Sequence, residues 1–153
     1  MTLTQIFGVA QGRSIARVSP QKGCGGLEPW EAVIIGEPAS KANSRRLVQI
    51  NGKPRFIKSQ KALDYEKTFQ KQIPQFCPKM PVEDLLRADV TIFYGSRRPD
   101  LDPSLIFDLL QKCEVIKNDR QIREIHAFWN LDRNNPRAHI RLTELPKNYG
   151  QPL

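Results

Sequence analysis

Between Arg87 and Tyr94 apolar and polar positions alternate, with Ala88, Val90, Ile92 and Tyr94 on one face and Arg87, Asp89 and Thr91 on the other. A period of two predicts a half-buried strand. Shorter apolar runs at Ala32-Val33-Ile34-Ile35, closed by Gly36 and Pro38, and at Ile122–Trp129 and Ala138–Leu142 predict further strands. The last two are joined by the turn-rich Asp132-Arg133-Asn134-Asn135-Pro136. Leu47-Val48-Gln49-Ile50 and Lys53-Pro54-Arg55-Phe56-Ile57 flank Asn51-Gly52, the signature of a type I′ hairpin. Pro54 cannot donate to a ladder, which puts that hairpin at a sheet edge.

Two stretches follow a helical period instead. Ser59 is placed to cap a helix that runs to about Ile73 and stops at Pro74, with Ala62, Tyr65, Phe69 and Ile73 on its buried face. Pro103 opens a second helix, where its missing N–H costs nothing, and Leu105, Ile106, Leu109, Leu110 and Cys113 form the stripe. The order of strands, helix, strand, helix and strands predicts an α/β (α+β) domain with two main helices. Residues 1–30 are broken by Gly8, Gly12, Gly23, Gly25 and Gly26 and keep no period; they are read as a flexible extension. Residues 31–147 are then the folded domain and 148–153 a tail.

Composition adds a charge. The chain of 153 residues carries 24 Lys+Arg against 16 Asp+Glu, a net +8, which favours a polyanionic partner through counterion release. No apolar run approaches the about 18 residues of a membrane span and no secretory leader opens the chain, so a cytoplasmic protein without a membrane partner is expected. Cys24, Cys77 and Cys113 are unpaired in spacing, and only His126 and His139 could complement them; neither a zinc site nor a disulfide framework is expected.

Against this basic background one acidic motif stands out. Arg97-Arg98-Pro99-Asp100-Leu101-Asp102 is followed seventeen residues after Asp102 by Asp119, in the loop Lys117-Asn118-Asp119-Arg120. In an extended segment Asp100 and Asp102 would project to the same side, where two like charges call for a proton, a cation or a basic group. Mg²⁺ takes oxygen ligands and commonly only one or two carboxylates, so Asp100, Asp102 and Asp119 can supply one metal, or two bridged by a phosphate. Each acid also has a plainer role open to it. Asp102 can cap the second helix, Asp119 can be a turn residue, and Asp108 can pair with Lys112 at i+4 or join the metal ligands. Lys41, Arg45 and Arg46 of the basic loop, Lys58 before the first helix, Arg97 and Arg98, and Lys117 and Arg120 are the candidate phosphate contacts.

Together these residues resemble the RusA family of Holliday-junction resolvases, over about Ala32 to Leu145. The most specific segments are Arg97-Arg98-Pro99-Asp100-Leu101-Asp102, Phe107-Asp108-Leu109-Leu110 and Val115-Ile116-Lys117-Asn118-Asp119-Arg120-Gln121-Ile122. Gly36-Glu37-Pro38-Ala39-Ser40-Lys41-Ala42-Asn43 resembles the family's proline-containing basic loop, and Ser59-Gln60-Lys61-Ala62-Leu63-Asp64-Tyr65 the start of its first helix. The resemblance implies a small mixed sheet, a homodimer that cuts two strands of a four-way or other branched DNA, and dependence on Mg²⁺, with Mn²⁺ able to substitute. It puts Asp100, Asp102 and Asp119 at the essential acids and Asp108 at a further acidic position. The chain departs from the pattern after the second acid, where Pro103-Ser104-Leu105-Ile106 replaces a segment with Asn and a nearby Lys, and Asn118 stands for the first of an acidic pair. Two readings follow: an endonuclease in which Lys117 or a partner's basic residue replaces that lysine, or a non-catalytic junction-binding protein of the same fold. A Pro-Asp…Glu-x-Lys nuclease is disfavoured because Glu114-Val115-Ile116-Lys117 has one residue too many, and an RNA-binding module because no aromatic-rich strand offers a stacking platform.

Overall fold

The computed structural model describes residues 28–40, 43–79, 81–150 and 152; the extension expected at 1–30 lies outside the described residues up to position 27. Six strands and two helices follow in the order β1 (Trp30–Ile35), β2 (Arg45–Ile50), β3 (Lys53–Lys58), α1 (Gln60–Gln72), β4 (Leu86–Tyr94), α2 (Ser104–Lys112), β5 (Ile122–Leu131) and β6 (Arg137–Glu144). Short 3-10 turns at Ile73–Gln75 and Asp119–Gln121 follow α1 and precede β5. The main sheet has strand order β1-β6-β4-β5; β4 pairs antiparallel with β6 and parallel with β5. This is the mixed α+β architecture expected, with two differences. The hairpin β2–β3 forms a two-stranded sheet of its own rather than an edge of the main one. The first strand begins at Trp30, two residues before the run at Ala32, because the Trp30 indole donates to the Phe76 carbonyl at 2.6 Å and packs on the core.

The alternation in β4 is complete: Leu86, Ala88, Val90, Ile92 and Tyr94 are buried beneath the helices with Ala32 and Ile34 of β1 and Ala138, Ile140 and Leu142 of β6. Helix α1 starts on Ser59, whose Oγ accepts from Ala62 N–H, and buries the expected Ala62, Tyr65 and Phe69, with Ile73 just beyond its end. It also buries Glu66, which accepts from Lys58 at 2.6 Å and from Lys112 of α2. These hydrogen bonds, first Lys112's and then Lys58's, hold the Glu66 carboxyl below the usual range. The i+4 pairing of Asp108 with Lys112 is therefore not formed; Lys112 ties α2 to α1 instead. At Asn51 and Gly52 φ is 52° and 73°, both positive as a type I′ turn requires. The strand β2 takes in Arg45 and Arg46, which the sequence pattern assigned to the preceding loop.

A parallel pair needs a crossover, and α2 supplies it between β4 and β5. Its end is a Schellman turn without glycine: Glu114 N–H donates to Gln111 O, Val115 N–H to Leu110 O, and Glu114 sits at φ 58°. Val115 is buried and closes the turn against the core. A β-carbon is disfavoured in this left-handed conformation. Glu114→Gly is thus expected to stabilise the protein by about 0.5–1 kcal/mol, seen as a higher urea midpoint at unchanged slope. An unchanged or lower midpoint would refute the strain at Glu114.

Candidate active site

The crossover decides where the acids sit. Asp100 and Asp102 follow the C-terminal end of β4, whereas Asp119 precedes the N-terminal end of its parallel neighbour β5. Helix α2 connects the two segments, about 14 Å long at the usual rise per residue. The two acidic segments thus reach α2 from different parts of the chain, and among the described residues no three His, Cys, Asp or Glu side chains form a metal-holding group.

The loop from Gly95 to Pro103 is irregular, so Asp100 and Asp102 are not in the extended strand that would align them. Two aromatic residues fix it from below. Tyr94 Oη, buried in the core, donates to the Asp100 carbonyl at 3.0 Å and accepts from Asp102 N–H at 3.4 Å. Trp129 Nε1 donates to the Pro99 carbonyl at 3.1 Å, and its ring stacks on Tyr94 with centroids 5.9 Å apart. Burial raises the Tyr94 pKa; the hydrogen bond from Asp102 N–H offsets part of that, and the charges of Asp102, Glu37 and Asp100 add to the rise. The phenol thus remains a donor at neutral pH, beneath a cluster of negative charge. Asp102 Oδ1 accepts from Ser104 N–H at 2.9 Å, the first N–H of α2. The cap position itself falls on Pro103, which has no side-chain cap bond, so Asp102 stands one residue before the cap expected of it.

Asp119 opens a 3-10 turn that Asn118 caps. The Asn118 side chain accepts from Arg120 N–H at 2.9 Å, and Gln121 Oε1 accepts from Asn118 N–H at 2.8 Å. Asn118, which departs from the family's acidic pair, thus has a structural task in this chain. Gln111 of α2 holds Asp119 N–H at 3.0 Å. Asp119 and Asp108 line one cleft of about 260 Å³ with Ser104, Phe107, Ile122 and Ile125. Ser104 links this cleft to Asp102. The donors are hard oxygens, without sulfur or imidazole, and one or two carboxylates completed by water and phosphate is what Mg²⁺ or Mn²⁺ takes. The residues fit such an ion as an open site and not as an all-protein cage.

Cations surround the acids. Arg98 shares a second cleft, of about 270 Å³, with Glu37, Ser40, Asn43, Lys61 and Ser96; Arg97 is exposed beside it. Glu37 accepts from Gly95 N–H at 2.8 Å and from Lys61 at 2.5 Å, so the segment around Glu37 is anchored to the start of the acidic loop and to α1. Arg45 and Lys58 line a groove with Asp108 and Lys112 on the other side of α2. Arg46 and Arg120 are exposed, and Lys117 pairs with Glu83 at 3.0 Å, both ends well solvated. Lys41 lies outside the described residues.

The sequence pattern did not single out Tyr94, Trp129 or Glu37 as site residues. The signal for Tyr94 was present: a tyrosine on the buried face of a strand must find a partner for its hydroxyl, and the acidic loop is the next segment of chain. Residues 36–143 match the family model of the endodeoxyribonuclease RusA. No curated protein matches the chain.

Proposed function

As the chain belongs to the endodeoxyribonuclease RusA family, we propose that it is a structure-selective endonuclease that resolves Holliday junctions or related branched DNA by hydrolysing phosphodiesters. The observation that carries this reading is the placement of Asp100, Asp102, Asp108 and Asp119 in and around α2, inside the matched segment and flanked by cation-lined clefts. A basic surface draws in the phosphate backbone, and the acids supply what a pure phosphate binder would lack. Asp102 and Asp119, with Asp100 and Asp108 beside them, would hold Mg²⁺ or Mn²⁺. When bound, such a cation lowers the pKa of an attacking water and neutralises charge on the leaving oxygen. Arg97 and Arg98 neutralise flanking phosphates, Arg45, Arg46 and Lys58 a second stretch, and Lys117 and Arg120 the side nearest Asp119; Lys41, outside the described residues, is a further candidate contact. Cutting two strands symmetrically needs two sites, and each chain has one set of acids, so the acting form is a homodimer. A cytoplasmic location accords with this role, and no helix among the described residues is long and apolar enough to cross a membrane.

One observation favours a non-catalytic junction-binding protein instead. No lysine stands between Pro103 and Ile106, and the nearby Lys58 and Lys112 both bond Glu66. The two readings share their binding behaviour. With about six phosphates neutralised, junction affinity is expected to fall about a thousandfold between about 50 and about 200 mM salt, as followed by fluorescence anisotropy. Affinity that hardly moves over that range would remove the basic surface from the account. A four-way junction should also outcompete linear duplex of equal length; equal competition would count against branch selectivity.

A further inference from the structure

We infer that the β2–β3 hairpin is a DNA-engaging arm whose Leu47–Phe56 pair contacts bases unstacked at a branch point. This rests on the proposed action on branched DNA and adds the element that would recognise the branch. The hairpin is separate from the main sheet. Its fourteen residues carry Arg45, Arg46, Lys53, Arg55 and Lys58 and no acid. Leu47 and Phe56 lie directly opposite each other in the antiparallel register, and they remain 60% and 73% exposed. Cross-strand partners share a face, so this apolar pair lies on the same face as Arg45 and Lys58, the next pair but one along the ladder. Arg45 and Lys58 in turn line the groove beside Asp108. One surface therefore runs from the candidate site, through two cations, to an aromatic and a leucine held out in solvent.

An isolated hairpin is marginal by itself, and on this one two large apolar side chains, Leu47 and Phe56, are exposed as a cross-strand pair rather than singly. The charge selects which one. Packing this arm on the same arm of a second copy would bring ten cations together, whereas a polyanion neutralises them. Linear duplex offers phosphates but keeps its bases stacked. A branch point offers phosphates together with exposed base faces, on which an aromatic side chain can stack.

The test uses the full chain with a synthetic four-way junction carrying 2-aminopurine beside the crossover, and with linear duplex, in EDTA so that no strand is cut. Phe56→Ser takes nothing from the core and is expected to lower junction affinity about tenfold, the loss of one stacked base, while duplex affinity changes less than twofold. The 2-aminopurine signal that accompanies binding should fall with it. Phe56→Trp should retain affinity, and its emission, taken as a difference from the unsubstituted protein, should change on junction and not on duplex. Equal losses on junction and duplex, or an unchanged junction affinity, would overturn the arm's role. So would a shift from dimer to monomer in sedimentation of Phe56→Ser, which would assign the face to a second copy. If the unsubstituted protein shows no preference for the junction, the branched-DNA reading falls and the arm with it; if the preference survives in Phe56→Ser, only the arm falls.

Discussion

Asp119→Asn is expected to abolish cleavage of branched DNA while leaving junction affinity unchanged or slightly higher. The substitution keeps size and hydrogen-bonding reach but removes the charge that would hold a cation. Disturbing even an outer partner of a metal ligand typically costs about 10–100-fold, so loss of a ligand should exceed about a hundredfold in rate. Folding should survive, because the turn is held by the Asn118 side chain and the Asp119 backbone rather than by the Asp119 carboxylate. Binding should not weaken, since one negative charge fewer faces the phosphates. Single-turnover nicking of a labelled junction reads the first effect and anisotropy in EDTA the second. Cleavage at the unsubstituted rate would remove Asp119 from the site. The same substitution at Asp100 tests the other acidic segment, and different losses at the two would tell which acts most directly.

Tyr94→Phe should be nearly as informative, because it deletes only a hydroxyl. The ring stays in the core against Trp129, and the losses are the bond to Asp100 O and the acceptor for Asp102 N–H. Stability should fall by about 1–2 kcal/mol, the usual net worth of two hydrogen bonds of which the second is long. The larger effect is expected on the metal. With the acidic loop released from its anchor, the Mg²⁺ concentration at half-maximal cleavage should rise about 10–100-fold, and saturating Mg²⁺ should restore much of the rate. A purely structural role would lower stability without moving the Mg²⁺ requirement. That outcome would reduce Tyr94 to a core residue.

Much of this architecture was legible from the chain because local chemistry dictated it. Asn51-Gly52 accepts two positive φ angles, the β4 alternation survives intact, and Ser59 and Pro74 bracket α1. What escaped did so for physical reasons. Glu66 stands on the buried face of α1, where a carboxylate reads as misplaced until Lys58 and Lys112 arrive from distant segments. Glu114 ends α2 in a conformation that usually announces itself with glycine. Phe107 lies off the stripe drawn through Leu105, Ile106, Leu109 and Leu110, yet it is buried in the same core. The acids were found as residues but not as an arrangement. Their spacing along the chain cannot say that β4 and β5 are parallel, nor that the crossover between them puts Asp119 in one cleft with Ser104 and Asp108 of α2. All four acids lie within the matched segment, and among the described residues no three of them form a metal-holding group by themselves.

The most direct test of the nuclease reading is incubation of the purified protein with a synthetic four-way junction and with linear duplex, with and without Mg²⁺. The expected nicks need the metal, fall in symmetric pairs near the crossover and spare the duplex. Tight junction binding without cleavage, in Mg²⁺ and in Mn²⁺ alike, would contradict that reading and leave a branched-DNA-binding protein built on a nuclease fold.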